Sequence, residues 1–352
     1  MQRLCYFKHL YLSKLRMERM KQIFQFSTWA KVATRITLVC LIISSAPAQA
    51  QTQIDIATAY PAGNFHVLNL QTFAKEVTNA TNGKLVVQVH PGGSLVKAQD
   101  IRKAVTEGKV TAGEVFGPSM SGVNMVFGLD ALPFLATNYP SALKLWKVTE
   151  KSVDAKLAAE GLTLLMSVPW PPQGLFTKKP LVSAKDMDGL NMRENSPPIK
   201  RFAELIGTKP VNIETPELAS AAKAGKFDLV FTSAAQGMDT KLAESLPYFY
   251  QANAWLPRNL VFINSKVFNT LPRDQQLTLI KLAGKAEERG WSMSEKFAQT
   301  TATELGKSGA KVSPLPASIQ NKLQRSGNQL ASDLLRKSDP ALMSVLSDFF
   351  MQ

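Results

Sequence analysis

From Ile54 onward, short apolar runs alternate with segments whose apolar residues recur at helical spacing, and glycine or proline punctuates the junctions. Ile54 to Ala59 and Leu85 to Val89 read as strands. Between them Leu70, Phe73, Ala74 and Val77 recur at i, i+3, i+4 and i+7, one face of a helix. Asn82-Gly83 stops that helix, and Pro91-Gly92-Gly93 closes the second strand. Gly108 is placed to cap, in left-handed backbone, a helix carrying Ala98, Ile101, Ala104 and Val105. Leu143, Trp146, Val153 and Leu157 mark a helix before the strand Leu162 to Val168. Leu190 to Arg193 is a strand, and Ile199, Phe202, Ala203 and Ile206 form a helix stopped by Gly207. Thr215-Pro216-Glu217 opens another helix with a hydroxyl N-cap, Gly225 ends it, and Asp228 to Phe231 is the next strand. Alternation of this kind predicts an α/β chain with mostly parallel strands.

Pro272 and Pro314 bracket a proline-free stretch of mostly helix-forming residues, from Asp274 to about Leu305. One helix of that length runs roughly 45 Å. That exceeds a small domain and predicts an element shared by two. Gly284 and Gly290 each weaken it by roughly 1 kcal/mol relative to alanine, as bend points or as a break into two helices. The 352 residues suit two domains of about 150.

The chain carries 41 Lys plus Arg against 27 Asp plus Glu, a net +14 that invites an anionic polymer or a membrane as partner. Eight of the basic residues, one acid and both cysteines (Cys5 and Cys40) fall within residues 1–50. The remainder has 33 basic and 26 acidic residues, net +7, dispersed and not interleaved with aromatics. No nucleic-acid partner is expected from that pattern. Within the first 50 residues a basic stretch ends at Arg35, an apolar run spans Ile36 to Ile43, and Ala48-Gln49-Ala50 is a small-x-small triplet. This is the order of a secretory signal, and the run is far short of the roughly 20 residues of a stable span. The expectation is a signal peptide over residues 1–50 and a mature periplasmic protein from near Gln51. Translation starts at Met1, Met17 or Met20, and an N-terminal anchor is the alternative.

Catalytic signatures are missing. Only His66 and His90 follow the leader, and His90 reads as a surface or interdomain histidine. Gly117-Pro118-Ser119-Met120-Ser121-Gly122 has the wrong spacing for a nucleophile elbow and reads as a loop. There is no HExxH, Walker loop or GxGxxG. The cysteine-free remainder excludes a disulfide framework, a Cys-ligated metal and a cysteine nucleophile. No enzyme activity and no cofactor are expected.

Several motifs resemble those of one family in the right order. Asp186-Met187-Asp188-Gly189-Leu190-Asn191-Met192-Arg193 resembles the "DLKGLKIR" signature of solute-binding proteins of tripartite ATP-independent periplasmic (TRAP) transporters, dicarboxylate-binding (DctP) type. Phe73 to Val77 with Asn82 to Leu85 is similar to "FAKEVEEKTNGKI", and His90 to Leu95 to "YPGGQLG". Ala131 to Leu135 resembles "ALPFL", and Val267-Phe268 through Leu271-Pro272 resembles "VFDSLPPEDQ". The resemblance covers residues 52–315.

It implies a two-domain periplasmic-binding-protein-like α/β fold with a long helix shared by both domains. The expected boundaries are 51–172 plus 258–290 for the first domain and 173–257 plus 291–352 for the second. The chain is expected to cross between them near Ser167–Gly174 and Gln251–Leu260. In the family the arginine of the signature clamps a ligand carboxylate, which carries over to Arg193. A planar guanidinium suits that task, since it donates two parallel hydrogen bonds. The alternative for Arg193 is a salt bridge to Glu194, Glu214 or another acid. The family's ligand-facing asparagine in "GxVDGQENP" falls on Thr232 or Ser233. A second arginine of some members falls near Gln173, and an acid of sialic-acid binders falls at Phe116. Tyr60 lies at the end of the first strand, where a polar contact is expected, and Asn195 is a further expected ligand contact. Phe116, Trp170 and Tyr60 would pack on an apolar or aromatic ligand body; for Phe116 and Trp170 interdomain core is the alternative. The resemblance thus implies a periplasmic protein that captures an organic acid and delivers it to integral membrane TRAP subunits. A sensor or orphan binding protein, or a periplasmic enzyme, is the alternative.

Overall fold

The computed structural model describes residues 51–337 and 340–351, so the expected signal peptide lies outside the described residues. The chain begins with β1 (Thr52–Ala57), β2 (Leu85–His90), β3 (Ala112–Phe116) and β4 (Leu162–Pro169). It continues through β5 (Gln173–Thr177), β6 (Asn191–Glu194), β7 (Lys209–Asn212), β8 (Leu229–Ser233) and β9 (Tyr248–Gln251). Then come β10 (Arg258–Asn264) and, after a long helix, β11 (Lys311–Pro314). The first sheet has the order β2-β1-β3-β10-β4 and the second β11-β9-β5-β8-β6-β7. The chain therefore leaves the first sheet between Pro169 and Gln173 and returns between Gln251 and Arg258.

Strand direction is mixed, where the sequence predicts mostly parallel pairing. β10 runs antiparallel to both β3 and β4, and β5 runs antiparallel to both β8 and β9. The cause is the crossing: each of these strands enters its sheet from the other one rather than through a helix. The two crossing segments also pair with each other. Trp170 N–H donates to Pro257 C=O (2.7 Å), Gln173 N–H to Trp255 C=O (2.9 Å), and Ala254 N–H to Gln173 C=O (2.9 Å).

The helices follow the periodicity. α1 (Phe65–Ala80) is capped by Asn64, whose side chain accepts from His66 N–H, and it ends before Asn82 and Gly83, both with positive φ. α2 (Ile101–Thr106) ends in a Schellman motif: Lys109 N–H reaches Ala104 C=O and Gly108 N–H reaches Val105 C=O. α3 (Tyr139–Ala159) buries Trp146, Val153 and Leu157 but leaves Leu143 exposed, so Leu143 does not belong to the apolar face the sequence suggests. α4 (Pro197–Leu205) follows β6. Before α5 (Leu218–Lys223), Thr215 does not cap. It lies inside a 3-10 turn, Thr215–Glu217, entered from Glu214, and the turn's tighter hydrogen bonding displaces the start of α5 to Leu218. α6 (Ala234–Asp239) follows β8, and α7 (Ser265–Thr270) follows β10.

The proline-free stretch is one helix, α8 (Arg273–Lys307), of 35 residues. It buries Leu279, Ala283 and Ala286 with Ile54, Phe73, Leu85 and Met166 against the first sheet. Near its other end Leu305 joins Phe176, Phe227 and Val230 on the second sheet. Burial of a side chain such as Phe73 or Phe176 is worth roughly 1.5–3 kcal/mol, so the helix is tied to both layers. Gly290 has a packing role. A Cβ there would lie 2.5 and 2.7 Å from the Val168 methyls, so the missing side chain lets α8 approach the end of β4. α9 (Ala317–Lys337) packs on α4, and α10 (Pro340–Met351) returns to α3, where Phe349 meets Ala142 and Leu145. Among the described residues no helix is long and apolar enough to cross a membrane.

Candidate ligand-binding site

The C-terminal ends of β1, β3, β6 and β8 point into a cleft between the two sheets, the place where open α/β layers collect ligands. The cleft has two adjoining compartments that share Tyr60, Phe116, Asn195 and Thr215 as walls. The inner one has a volume of about 30 Å³ and the outer one about 490 Å³.

Seven of the eight residues named from the sequence line the inner compartment: Tyr60, Phe116, Trp170, Gln173, Arg193, Asn195 and Thr232. Ser233 does not. It is fully buried and caps α6, accepting a hydrogen bond from Gln236 N–H (3.1 Å). Its side chain points into the helix start because a hydroxyl next to Ala234 is the natural N-cap there.

Arg193 is buried, with its Nε donating to Ile213 C=O (2.8 Å). Its Nη2 has no partner among the described residues, and no carboxylate forms an ion pair with it there. Glu214 and Glu194 act on it only through their fields. Burial lowers the guanidinium to about 10, so it stays charged at neutral pH. The salt-bridge alternative is thus not what this conformation holds. A second donor, Gln236 Nε2, lines the same compartment, is also buried, and also lacks a partner. A buried donor left unpaired costs about 1–3 kcal/mol, more if charged. Two such donors around one small cavity are chemically suited to an anionic or strongly accepting group.

The aromatic side chains do two things at once. Trp170 and Tyr60 line the compartment and also pack with Phe65 and Val168, so wall and core are the same residues. Both reach Asn259 Oδ1, which accepts from Tyr60 OH (3.1 Å) and Trp170 Nε1 (2.9 Å). Gln173 folds its amide back, donating from Nε2 to Pro171 C=O (2.8 Å). Phe231 and Trp255, with ring centroids 5.1 Å apart, complete the apolar wall.

Behind Tyr60 lies a polar cluster that sequence reasoning does not single out. Glu114 on β3 is 1% exposed and lines the outer compartment. It accepts from Thr58 Oγ1 (2.5 Å) and Asn259 Nδ2 (2.9 Å), and His66 Nδ1 lies 3.4 Å away. Burial pushes Glu114 up to about 7 and His66 well below its usual value. Gln236 carries one faint signal, the S-x-x-Q spacing from Ser233 that marks a capping box. Glu114 and Asn259 sit on strands and carry none.

A family model, bacterial extracellular solute-binding protein family 7 (DctP), matches residues 56–337. A solute-binding protein of Albidiferax ferrireducens is 23% identical over 267 residues, covering 74% of this chain and 79% of the relative. Among solved structures, DctP6 of Bordetella pertussis, an extracytoplasmic solute receptor binding pyroglutamic acid, is 37% identical with a TM-score of 0.83. The match covers 86% of this chain and 100% of that one. A marine metagenome TRAP solute-binding protein specific for pyroglutamate is 33% identical, with a TM-score of 0.83, covering 86% and 99%. With the layered fold and the cleft between its sheets, these matches make the chain a member of the DctP family of bacterial extracellular solute-binding proteins.

Proposed function

We propose that this protein captures a compact monocarboxylate of the pyroglutamate type in the cleft and hands it, in the periplasm, to the integral membrane subunits of a TRAP transporter. The observation that carries the reading is the pair of unpartnered buried donors, Arg193 Nη2 and Gln236 Nε2, on one cavity. A carboxylate offers about four acceptor sites and can answer both. The inner compartment, about 30 Å³, has room for little more than such a group, and a small ring extends past Tyr60 and Phe116 into the outer one. The pyroglutamate bound by relatives 37% and 33% identical has this build. Phe116, Trp170 and Tyr60 supply the apolar walls for the ring, while Thr232, Gln173 and Asn195 border it.

The two sheets are the cores of two lobes, residues 51–172 with 258–290 and residues 173–257 with 291–337. Residues 340–351 go with the first lobe because α10 packs on α3. The paired crossing segments serve as the hinge, and closure is favoured because the ligand then meets both lobes. No chemistry is done on it.

Thermal-shift and calorimetric titration of the mature protein with pyroglutamate, a dicarboxylate and a sugar acid test the reading. Pyroglutamate at 100 times its dissociation constant is expected to stabilise by about 2.7 kcal/mol. Arg193→Ala is expected to abolish that shift. Tight binding of dicarboxylates alone, or an unchanged shift in Arg193→Ala, would overturn it.

A further inference from the structure

We infer that Glu114 is a specificity-determining residue that accepts a hydrogen bond from the ligand's body, and that the solutes taken are carboxylates carrying an uncharged N–H or O–H donor away from the carboxylate. The inference rests on the carboxylate-binding reading of the cleft and narrows it.

The cleft is polarised. The unpartnered donors, on β6 and α6, belong to the second sheet's side. The acid, on β3, belongs to the first. Tyr60 stands between them as a wall of both compartments; burial above all raises its hydroxyl, the field of Glu114 adds to that and the field of Arg193 opposes it. A ligand held at one end by Arg193 therefore presents its other end toward Glu114.

Glu114 is built to accept. Its partners are a hydroxyl, a side-chain amide and a histidine that burial keeps neutral. Among the described residues no lysine or arginine pairs with it. Oε1 faces Asn259 Nδ2 and His66 Nδ1, whereas Oε2 takes only Thr58 Oγ1. A carboxylate has about four lone-pair sites. One site on Oε2 is left for a donor from the compartment that this side chain lines. The three groups that hold the carboxylate come from different elements: Thr58 just after β1, Asn259 on β10 and His66 on α1. Their convergence fixes the carboxyl plane and so the direction from which a donor must approach.

The test uses two ligands of nearly equal shape: pyroglutamate, and its carbocyclic analogue with CH2 in place of the ring N–H (3-oxocyclopentane carboxylate). At pH 8, where Glu114 is ionised, the wild-type protein is expected to prefer the lactam by about tenfold or more, since a hydrogen bond to a charged group is worth roughly 1.5–3 kcal/mol. This comparison needs no variant. In Glu114→Gln the amide oxygen takes the Oε1 position and accepts from Asn259 Nδ2, while the N–H2 takes the Oε2 position, where Thr58 Oγ1 accepts one N–H and the other faces the ligand, so the preference is expected to fall to within about threefold. Circular dichroism and a cooperative melt establish that the variant is folded. Equal wild-type affinity for the two ligands, or a full lactam preference in folded Glu114→Gln, overturns the assignment of Glu114. Failure of both acids to bind at all overturns instead the carboxylate reading on which it rests.

Discussion

Glu114 and His66 are buried side by side, and burial drives each toward its neutral form. Glu114, raised to about 7, contributes stability that is complete below its unfolded value near 4.5 and lost as pH rises through 7. His66, depressed, contributes stability that is complete above 6.5 and lost as pH falls. Between about pH 4.5 and 6.5 the folded pair and the unfolded pair each hold one proton, so the two slopes offset. Glu114→Gln uncovers the histidine. Relative to wild type, its stability is expected to fall as pH drops below 6.5, by up to about 1.4 kcal/mol per unit. Urea unfolding at several pH values checks this, and parallel profiles for the two proteins would contradict it. Arg193 gives a second expectation. Removing the buried cation relieves its desolvation but gives up the Nε bond to Ile213 C=O, so Arg193→Met should leave the ligand-free protein within about 2 kcal/mol of wild type while ligand-induced stabilisation vanishes. Arg193 is legible in the sequence because a strand-end arginine in a recognisable motif has few other uses. Gln236 and Glu114 are not legible. One sits in a helix start and the other in a strand buried along nearly its whole length, and only the packing of two sheets decides which polar side chains reach the cleft.

Among the elements, α8 separates what periodicity reveals from what packing adds. Its existence and span follow from helix formers between two prolines, and the sequence assigns the same cost to Gly284 and Gly290. The structure separates them. Gly284 is exposed with nothing within 4 Å of a built Cβ, whereas at Gly290 a Cβ would meet Val168 at 2.5 Å and Asn69 Nδ2 at 2.9 Å. Gly284→Ala is therefore expected to stabilise by about 0.5–1 kcal/mol. Gly290→Ala gains the same propensity but forces the helix off β4, with an expected net loss of about 1–3 kcal/mol. Chemical denaturation of the pair decides it; equal effects would show that helix propensity alone governs both sites. The short strands carry a weaker sequence signal. β7, β9 and β11 have four residues each, and β7 and β11 are sheet edges containing Pro210 and Pro314. Such segments have too few positions to show a period of two, and proline is tolerated because an edge leaves one side of the strand unpaired.

At the scale of the whole molecule, the question is what holds the two layers in their relative position apart from the ligand. The crossing segments pair with each other through their backbones, and their first-sheet ends are braced there by Trp170 Nε1 donating to Asn259 and by Glu287 of α8 accepting from Ser167 N–H (2.6 Å) and Trp146 Nε1 (3.0 Å). If the crossing is the proposed hinge, these ties restrain it without setting its angle, because they lie along it. A contact away from the crossing segments has leverage. Asn64, which caps α1 on the first sheet, donates from Nδ2 to Asp239 Oδ2 (2.7 Å) at the end of α6 on the second. Asp239 lines neither compartment of the cleft. If the lobes open, this bond breaks, so it belongs to the energy difference between states rather than to the ligand contacts. A hydrogen bond of about 1 kcal/mol made only in the closed form changes the competent fraction, and with it the apparent affinity, by about fivefold. Asp239→Ala should weaken pyroglutamate binding by about that factor, leave the lactam preference unchanged, and enlarge the radius of gyration of the ligand-free protein in small-angle scattering. An unaltered affinity would mean that the Asn64–Asp239 bond is made in both states and that closure is governed by the crossing segments and the ligand alone.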